Sequence, residues 1–162
     1  MAWSILTFTG KEIIELATEI EKAGKAFYEA ASRKVEDPEV SALFKALGNE
    51  EEKHIGDFRA LEKYLDGGFD PEESYPGEYR DYLKAIIDNH VFNINNVESL
   101  VKNVVVAREA LAVALRFEKD SILIFQEFLK VVDESGRDIV QKLIDQEKEH
   151  IGMLFRLNKI KW

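Results

Sequence analysis

Four stretches of the chain repeat apolar residues alternately three and four positions apart, the spacing that lines one face of an α-helix. The first face reads Ile14, Ala17, Glu21, Gly24, Tyr28 and Ala31, and the second Val40, Phe44, Leu47, Glu51, His54, Phe58, Leu61 and Leu65. The third reads Ala107, Leu111, Ala114, Glu118, Ser121, Phe125, Phe128 and Val132, and the fourth Val140, Leu143, Glu147, His150, Leu154 and Leu157. Each face is apolar except near its middle, where a carboxylate, alone or with an imidazole three residues on, takes a position expected to be buried.

Capping residues set the expected ends. Thr9 with Glu12 has the form of a capping box that opens a helix over about 10–34, and Asp37 before Pro38 opens a second that should run to Gly67-Gly68. A third helix is expected from Val104 to Val132, and a fourth, capped by Ser135 with Asp138, to near Lys159. The span between holds Pro71, Pro76, Gly77 and the polar stretch Asn93 to Asn96, so it reads as a long connection with one short helix, Tyr79 to His90.

The two halves are copies of one pattern. Glu21-Lys22 corresponds to Glu118-Lys119, and Glu51 with His54-Ile55-Gly56 corresponds to Glu147 with His150-Ile151-Gly152. A helix of about 26 residues is about 39 Å long, a length the connection can retrace. The expected fold class is therefore all-α: a single domain over 1–162, with a helical hairpin at 10–66, a crossover at 67–103 and a second hairpin at 104–160, packed as a pseudo-twofold four-helix bundle with one long crossover.

The central polar residues carry the chemistry. A carboxylate in an apolar seam costs several kcal/mol unless it is paired, protonated or bound to metal. Glu and His at i and i+3 point the same way, so Glu51 with His54 can grip one cation and Glu147 with His150 a second. With Glu51 and Glu147 bridging and Glu21 and Glu118 closing the outer positions, four negative charges balance two divalent ions. Carboxylate with imidazole suits iron or manganese, and zinc acceptably. A lone Glu-x-x-His on a helix is ordinarily a surface pair, but here two coincide with predicted core stripes and use two of the 3 His in the chain. His90, with no such context, reads as an ordinary surface or packed residue. In Glu50-Glu51-Glu52-Lys53 only Glu51 belongs to the seam.

Composition narrows the alternatives. The chain has 162 residues, 46% hydrophobic and 33% charged, which fits one globular domain. It contains no Cys, so disulfides, thiolate metal sites and cysteine nucleophiles are excluded. The net charge of -9 and the lack of a basic patch argue against nucleic acid or an anionic membrane as partner. Residues 1–10 show no basic run or small-residue cleavage site, and no window holds the roughly 20 apolar residues of a membrane-spanning helix. A cytoplasmic protein is expected.

These residues resemble the ferritin-like di-iron carboxylate proteins and, within them, the rubrerythrin group. The resemblance runs from Glu12 to Lys159 apart from the crossover, and Glu118-Lys119-Asp120-Ser121 is similar to the third helix of small rubrerythrin-like proteins. It implies a ferritin-like bundle and places metal ligands at Glu21, Glu51, His54, Glu118, Glu147 and His150 around two iron ions, with manganese or zinc as alternatives. Tyr28, two turns beyond Glu21 on the same face, would stand beside the centre mainly as packing, with a hydrogen bond to a ligand or a local redox relay as its lesser roles; Ser121 would also stand beside it, and the small residues Gly24 and Ser121 would leave it room. The function implied is a di-iron oxidoreductase that reduces hydrogen peroxide or dioxygen. The alternative is an iron-binding ferroxidase, storage or sensing protein without turnover. Two departures stand out. Rubrerythrins typically add a Cys-bearing rubredoxin-type domain, so here the electron donor would be external and rubredoxin-like, with a homodimer as the expected assembly. They also carry a further carboxylate where this chain has Ser121, which weakens the parallel with their ligand switching.

Overall fold

The computed structural model describes residues 10–65, 78–90, 99, 100, 102, 106–130 and 132–161. Five helices are named within them: α1 (Gly10–Lys34), α2 (Pro38–Leu61), α3 (Glu78–Asp88), α4 (Ala107–Phe128) and α5 (Glu134–Lys161). The helix α1 packs along α2 and α4 along α5; across the hairpins α1 meets α4 and α2 meets α5, while α3 rests on α4. This is the four-helix bundle with a long crossover that the periodicity predicts. Among the described residues no helix is long and apolar enough to cross a membrane.

Local chemistry accounts for most of the helix ends. Asp37 caps α2 by accepting from the backbone N–H of Glu39 at 3.0 Å and of Val40 at 3.1 Å, with Pro38 at the first position, where no donor is needed. The outer oxygen of Asp37 also receives Lys161 Nζ at 3.0 Å, and Glu39 receives the same ammonium at 2.6 Å, so the end of α5 docks on the start of α2. Thr9, and with it the expected capping box of α1, lies outside the described residues.

Three boundaries depart from expectation for one reason. Helix α2 stops at Leu61, short of Gly67-Gly68, and passes through a single 3-10 turn, Glu62–Tyr64, into extended Leu65. There Leu65 pairs with Val132 in an antiparallel bridge, and the N–H of Asp133 donates to the carbonyl of Tyr64 at 3.0 Å. The pairing pulls both segments out of helix, so α4 ends at Phe128 rather than Val132. It also leaves Asp133, not Ser135, to cap α5, its Oδ1 accepting from the N–H of Gly136 at 2.9 Å. The expected cap fails because Ser135 already lies in the first turn. Gly136 is required, because a β-carbon there would lie 2.7 Å from Val132 Cβ. At the other end α4 starts at Ala107, three residues after the expected Val104.

The predicted seams are the core: in each of the four long helices the central stripe residues are buried. Aromatic rings form two layers. Phe27, Tyr28, Phe44 and Phe117 lie together on one side, with Tyr28 and Phe44 centred 5.5 Å apart. On the other side Phe58 packs on Phe125 at 4.7 Å and on Phe128 at 5.4 Å. Both layers draw on the helices that carry the central polar residues.

Candidate metal centre

Six polar side chains, Glu21, Glu51, His54, Glu118, Glu147 and His150, lie at the middle of the bundle and none is more than 3% exposed. Helix α1 supplies Glu21 and α4 supplies Glu118, while α2 and α5 each supply a Glu-x-x-His pair that one helical turn brings onto the same face. His54 Nδ1 lies 3.1 Å from Glu21 Oε2, 3.1 Å from Glu51 Oε2 and 2.8 Å from Glu147 Oε1. His150 Nδ1 lies 3.1 Å from Glu147 Oε2 and 3.6 Å from Glu118 Oε1. The two imidazoles stack, 5.5 Å between centroids and 17° between planes.

Donor atoms of Glu21, Glu51, His54 and Glu147 all lie within 4.8 Å of one another, and so do those of Glu51, Glu118, Glu147 and His150. These are two overlapping four-donor clusters, and the residues they share are Glu51 and Glu147. All six residues singled out in the sequence fall within these two clusters. His90 is in neither cluster: it is buried with its ring edge-on to Phe117, 5.9 Å away, the second of the two ordinary roles, surface or packed, expected of it. In the run around Glu51 the neighbours face outward, Glu50 pairing with Lys53 at 2.6 Å and Glu52 with Lys25.

The rubrerythrin family profile matches residues 12–102, more than half of the chain. The chain belongs to the rubrerythrin family. A crystal structure from Thermotoga maritima, of a protein assigned as a ferritin-like diiron-carboxylate protein, superposes with a TM-score of 0.64 and covers 96% of this chain and 97% of that one. At 24% identity that likeness speaks for the fold alone. No curated protein matches the chain.

The donor set of this rubrerythrin-family centre fits a pair of metal ions. Glu21 Oε1, Glu51 Oε1, Glu118 Oε2 and His54 Nε2 are buried without a hydrogen-bond partner among the described residues. Each orphaned polar atom costs about 1–3 kcal/mol, more where the group is charged, and a cation bound to the carboxylate oxygens removes that cost. Four carboxylates and two imidazoles are the hard-to-intermediate ligands that iron and manganese take.

Left to each other, the six groups settle as a proton-sharing network. Burial pushes the carboxyls of Glu21, Glu51 and Glu118 above the ordinary range, and the neighbouring carboxylates add to this for Glu51 and Glu118. Burial acts the same way on Glu147, but hydrogen bonds with Glu118 and both imidazoles outweigh it and hold this carboxyl low. Burial disfavours the charged form of His150, yet Glu118 and Glu147 win and carry it up to about 10; Glu147, Glu21 and Glu51 raise His54 further still. A charged imidazole cannot ligate a cation, so metal binding must release these protons.

Tyr28 takes on the hydrogen-bonding role the sequence offered as its lesser one, and Gly24 departs from expectation. Tyr28, expected mainly to pack, also donates its hydroxyl in a short hydrogen bond to Glu118 on α4. Burial together with the charges of Glu118 and Glu51 pushes the phenol well above its usual range, so it keeps its proton. Gly24 leaves no free room. The ring of Phe117 fills the space, and a β-carbon on residue 24 would lie 2.2 Å from its Cζ. Phe117, on the α4 side of this contact, carries no signal in sequence beyond being apolar. Ser121 is buried with its hydroxyl unpartnered among the described residues.

Proposed function

We propose that this protein is a non-haem di-iron oxidoreductase of rubrerythrin type, which reduces hydrogen peroxide, or dioxygen, to water with electrons from an external rubredoxin-like carrier. The observation that carries the reading is the pair of four-donor clusters that share Glu51 and Glu147. Glu21, Glu51, His54, Glu118, Glu147 and His150 would hold the two ions. Held there, two ferrous ions would supply one electron each, which with two protons would convert one peroxide to two waters.

The chain's own residues set the conditions for that exchange. Glu51 and Glu147 hold the two positions close to each other. The aromatic layers on both sides keep the centre dry, which strengthens every electrostatic interaction inside it. Tyr28 holds one oxygen of Glu118 and retains its proton while doing so.

Anaerobic titration of the protein with ferrous iron, followed by a measured addition of peroxide and near-ultraviolet absorption, tests this. Saturation near two irons per chain and prompt oxidation, one peroxide per chain, are expected. Repeated turnover once a one-electron donor is added separates the enzyme from a storage or sensing protein, which would react once and stop. Single-ion binding, or inertness of the loaded protein toward both oxidants, would overturn the proposal.

A further inference from the structure

The internal repeat allows the two halves of the centre to be compared residue by residue, and they are unequal. Glu21 on α1 corresponds to Glu118 on α4; seven positions further on, Tyr28 corresponds to Phe125. Tyr28 does not serve the glutamate of its own helix but crosses to α4 and donates to Glu118 Oε1. Its counterpart Phe125 is a hydrocarbon ring packed on Phe58 and offers Glu21 no donor. Glu118 is therefore left with one oxygen, Oε2, without a partner among the described residues, while Oε1 is committed to the phenol. Glu21 has Oε1 unpartnered and presents Oε2 to His54 Nδ1 at 3.1 Å.

The imidazoles show the same difference. Three carboxylates converge on His54 Nδ1 within 3.1 Å. Two converge on His150 Nδ1, and the second of these, Glu118, stands off at 3.6 Å.

From this arrangement we infer that the halves fill in order: the first divalent ion enters the half made by Glu21, Glu51, His54 and Glu147, and the second, bound more weakly, enters the half completed by Glu118 and His150, where Tyr28 positions Glu118. Glu118 shares Oε1 with a phenol that is no ligand and binds through the other oxygen, whereas Glu21 shares Oε2 only with His54, itself a ligand of the same half, and can turn both oxygens to the ion. Partners behind a metal ligand orient it, and their loss typically weakens metal affinity by about 10–100-fold. Tyr28 is such a partner for one position only, because among the described residues its counterpart across the pseudo-twofold axis is Phe125, which has no donor. The inference rests on the reading of the pocket as a two-metal centre.

Cobalt(II) is a suitable probe, since its visible absorption reports coordination and no oxidant is present in the titration. Titration of the chelator-treated protein, followed by absorption and calorimetry, is expected to show two steps about tenfold or more apart in affinity. Glu118→Gln should keep the tight step and lose the weak one, and Glu21→Gln should lose the tight step. Tyr28→Phe should leave the first step and its spectrum unchanged while weakening the second by about tenfold. Two steps of equal affinity in the wild-type protein would overturn the ordering and leave the two-metal reading standing. Loss of the tight step in Glu118→Gln, or an equal shift of both steps in Tyr28→Phe, would overturn it as well. Failure of the wild-type protein to take up two ions would overturn the two-metal reading and the inference together. Equal steps in the wild-type isotherm refute the ordering whether or not a variant folds, and the two Gln variants, checked for folding by circular dichroism, assign each step to its half.

Discussion

Gly24→Ala measures how tightly α1 and α4 are drawn together beside the centre. A β-carbon at residue 24 would stand 2.2 Å from Cζ, 2.6 Å from Cε1 and 3.1 Å from Cε2 of Phe117. The ring has little room to retreat: it is fully buried, with Tyr28 centred 6.0 Å and His90 5.9 Å away. Overpacking of this kind costs about 1–3 kcal/mol, and so short an approach belongs at the upper end. Alanine returns about 1 kcal/mol of helix propensity, which leaves a net loss of about 2 kcal/mol. For a domain of this size each kcal/mol moves Tm by about 2–4 °C, so thermal unfolding followed by circular dichroism should fall by about 4–8 °C. Gly56→Ala supplies the control. Residue 56 also lies within a helix, but nothing stands within 4 Å of an added β-carbon, so this change should stabilise by about 0.5–1 kcal/mol. Phe117→Leu, introduced into the Gly24→Ala background, should recover part of the loss, with the coupling read from a double-mutant cycle. A Gly24→Ala protein that melts at or above the wild type would refute the close approach of these two helices.

Further outcomes follow from the same geometry. Glu51→Ala removes a residue common to both clusters and should abolish binding of both ions, whereas Glu21→Ala should spare one, as read by metal analysis after gel filtration. Each ion present at about a hundred times its dissociation constant should add about 2.7 kcal/mol of stability, so a chelator should lower Tm and added divalent metal restore it, while Glu51→Ala should show no such response. Phe58→Ala empties the aromatic layer shared with Phe125 and Phe128 and should cost about 3–5 kcal/mol in urea unfolding. The hydrogen bond from the Val40 amide and the ion pair with Lys161 hold Asp37 below its ordinary value of 3.8. Its contribution is thus fully present above that value and is lost as the pH falls through the lower folded-state value. Tm measured against pH should therefore fall less on the acid side in Asp37→Asn than in the wild type.

The members of the centre were legible in the chain because a charged side chain on an apolar helical stripe breaks a strong pattern. Glu21, Glu51, His54, Glu118, Glu147 and His150 each interrupt a seam at its middle, and the interruption occurs twice at nearly the same spacing. The ends of the helices were less legible. Asp37 announced the start of α2, yet the stop at Leu61 and the cap at Asp133 follow from the pairing of Leu65 with Val132, two residues far apart in sequence.

Periodicity and composition by themselves determined four amphipathic helices, their pairing into two like hairpins, and a buried set of carboxylates and imidazoles able to neutralise two divalent ions. These are local properties: a helix turns by a fixed angle per residue, so the face on which a residue lies follows from its number. Only the tertiary structure decided that Tyr28 crosses to Glu118 rather than serving Glu21, that Phe117 occupies the space beside Gly24, and that Lys161 closes on Asp37 and Glu39. Those outcomes depend on the rotation and relative height of helices packed against each other, which many side chains settle at once by filling the same interior without voids. No single stretch of sequence carries that information.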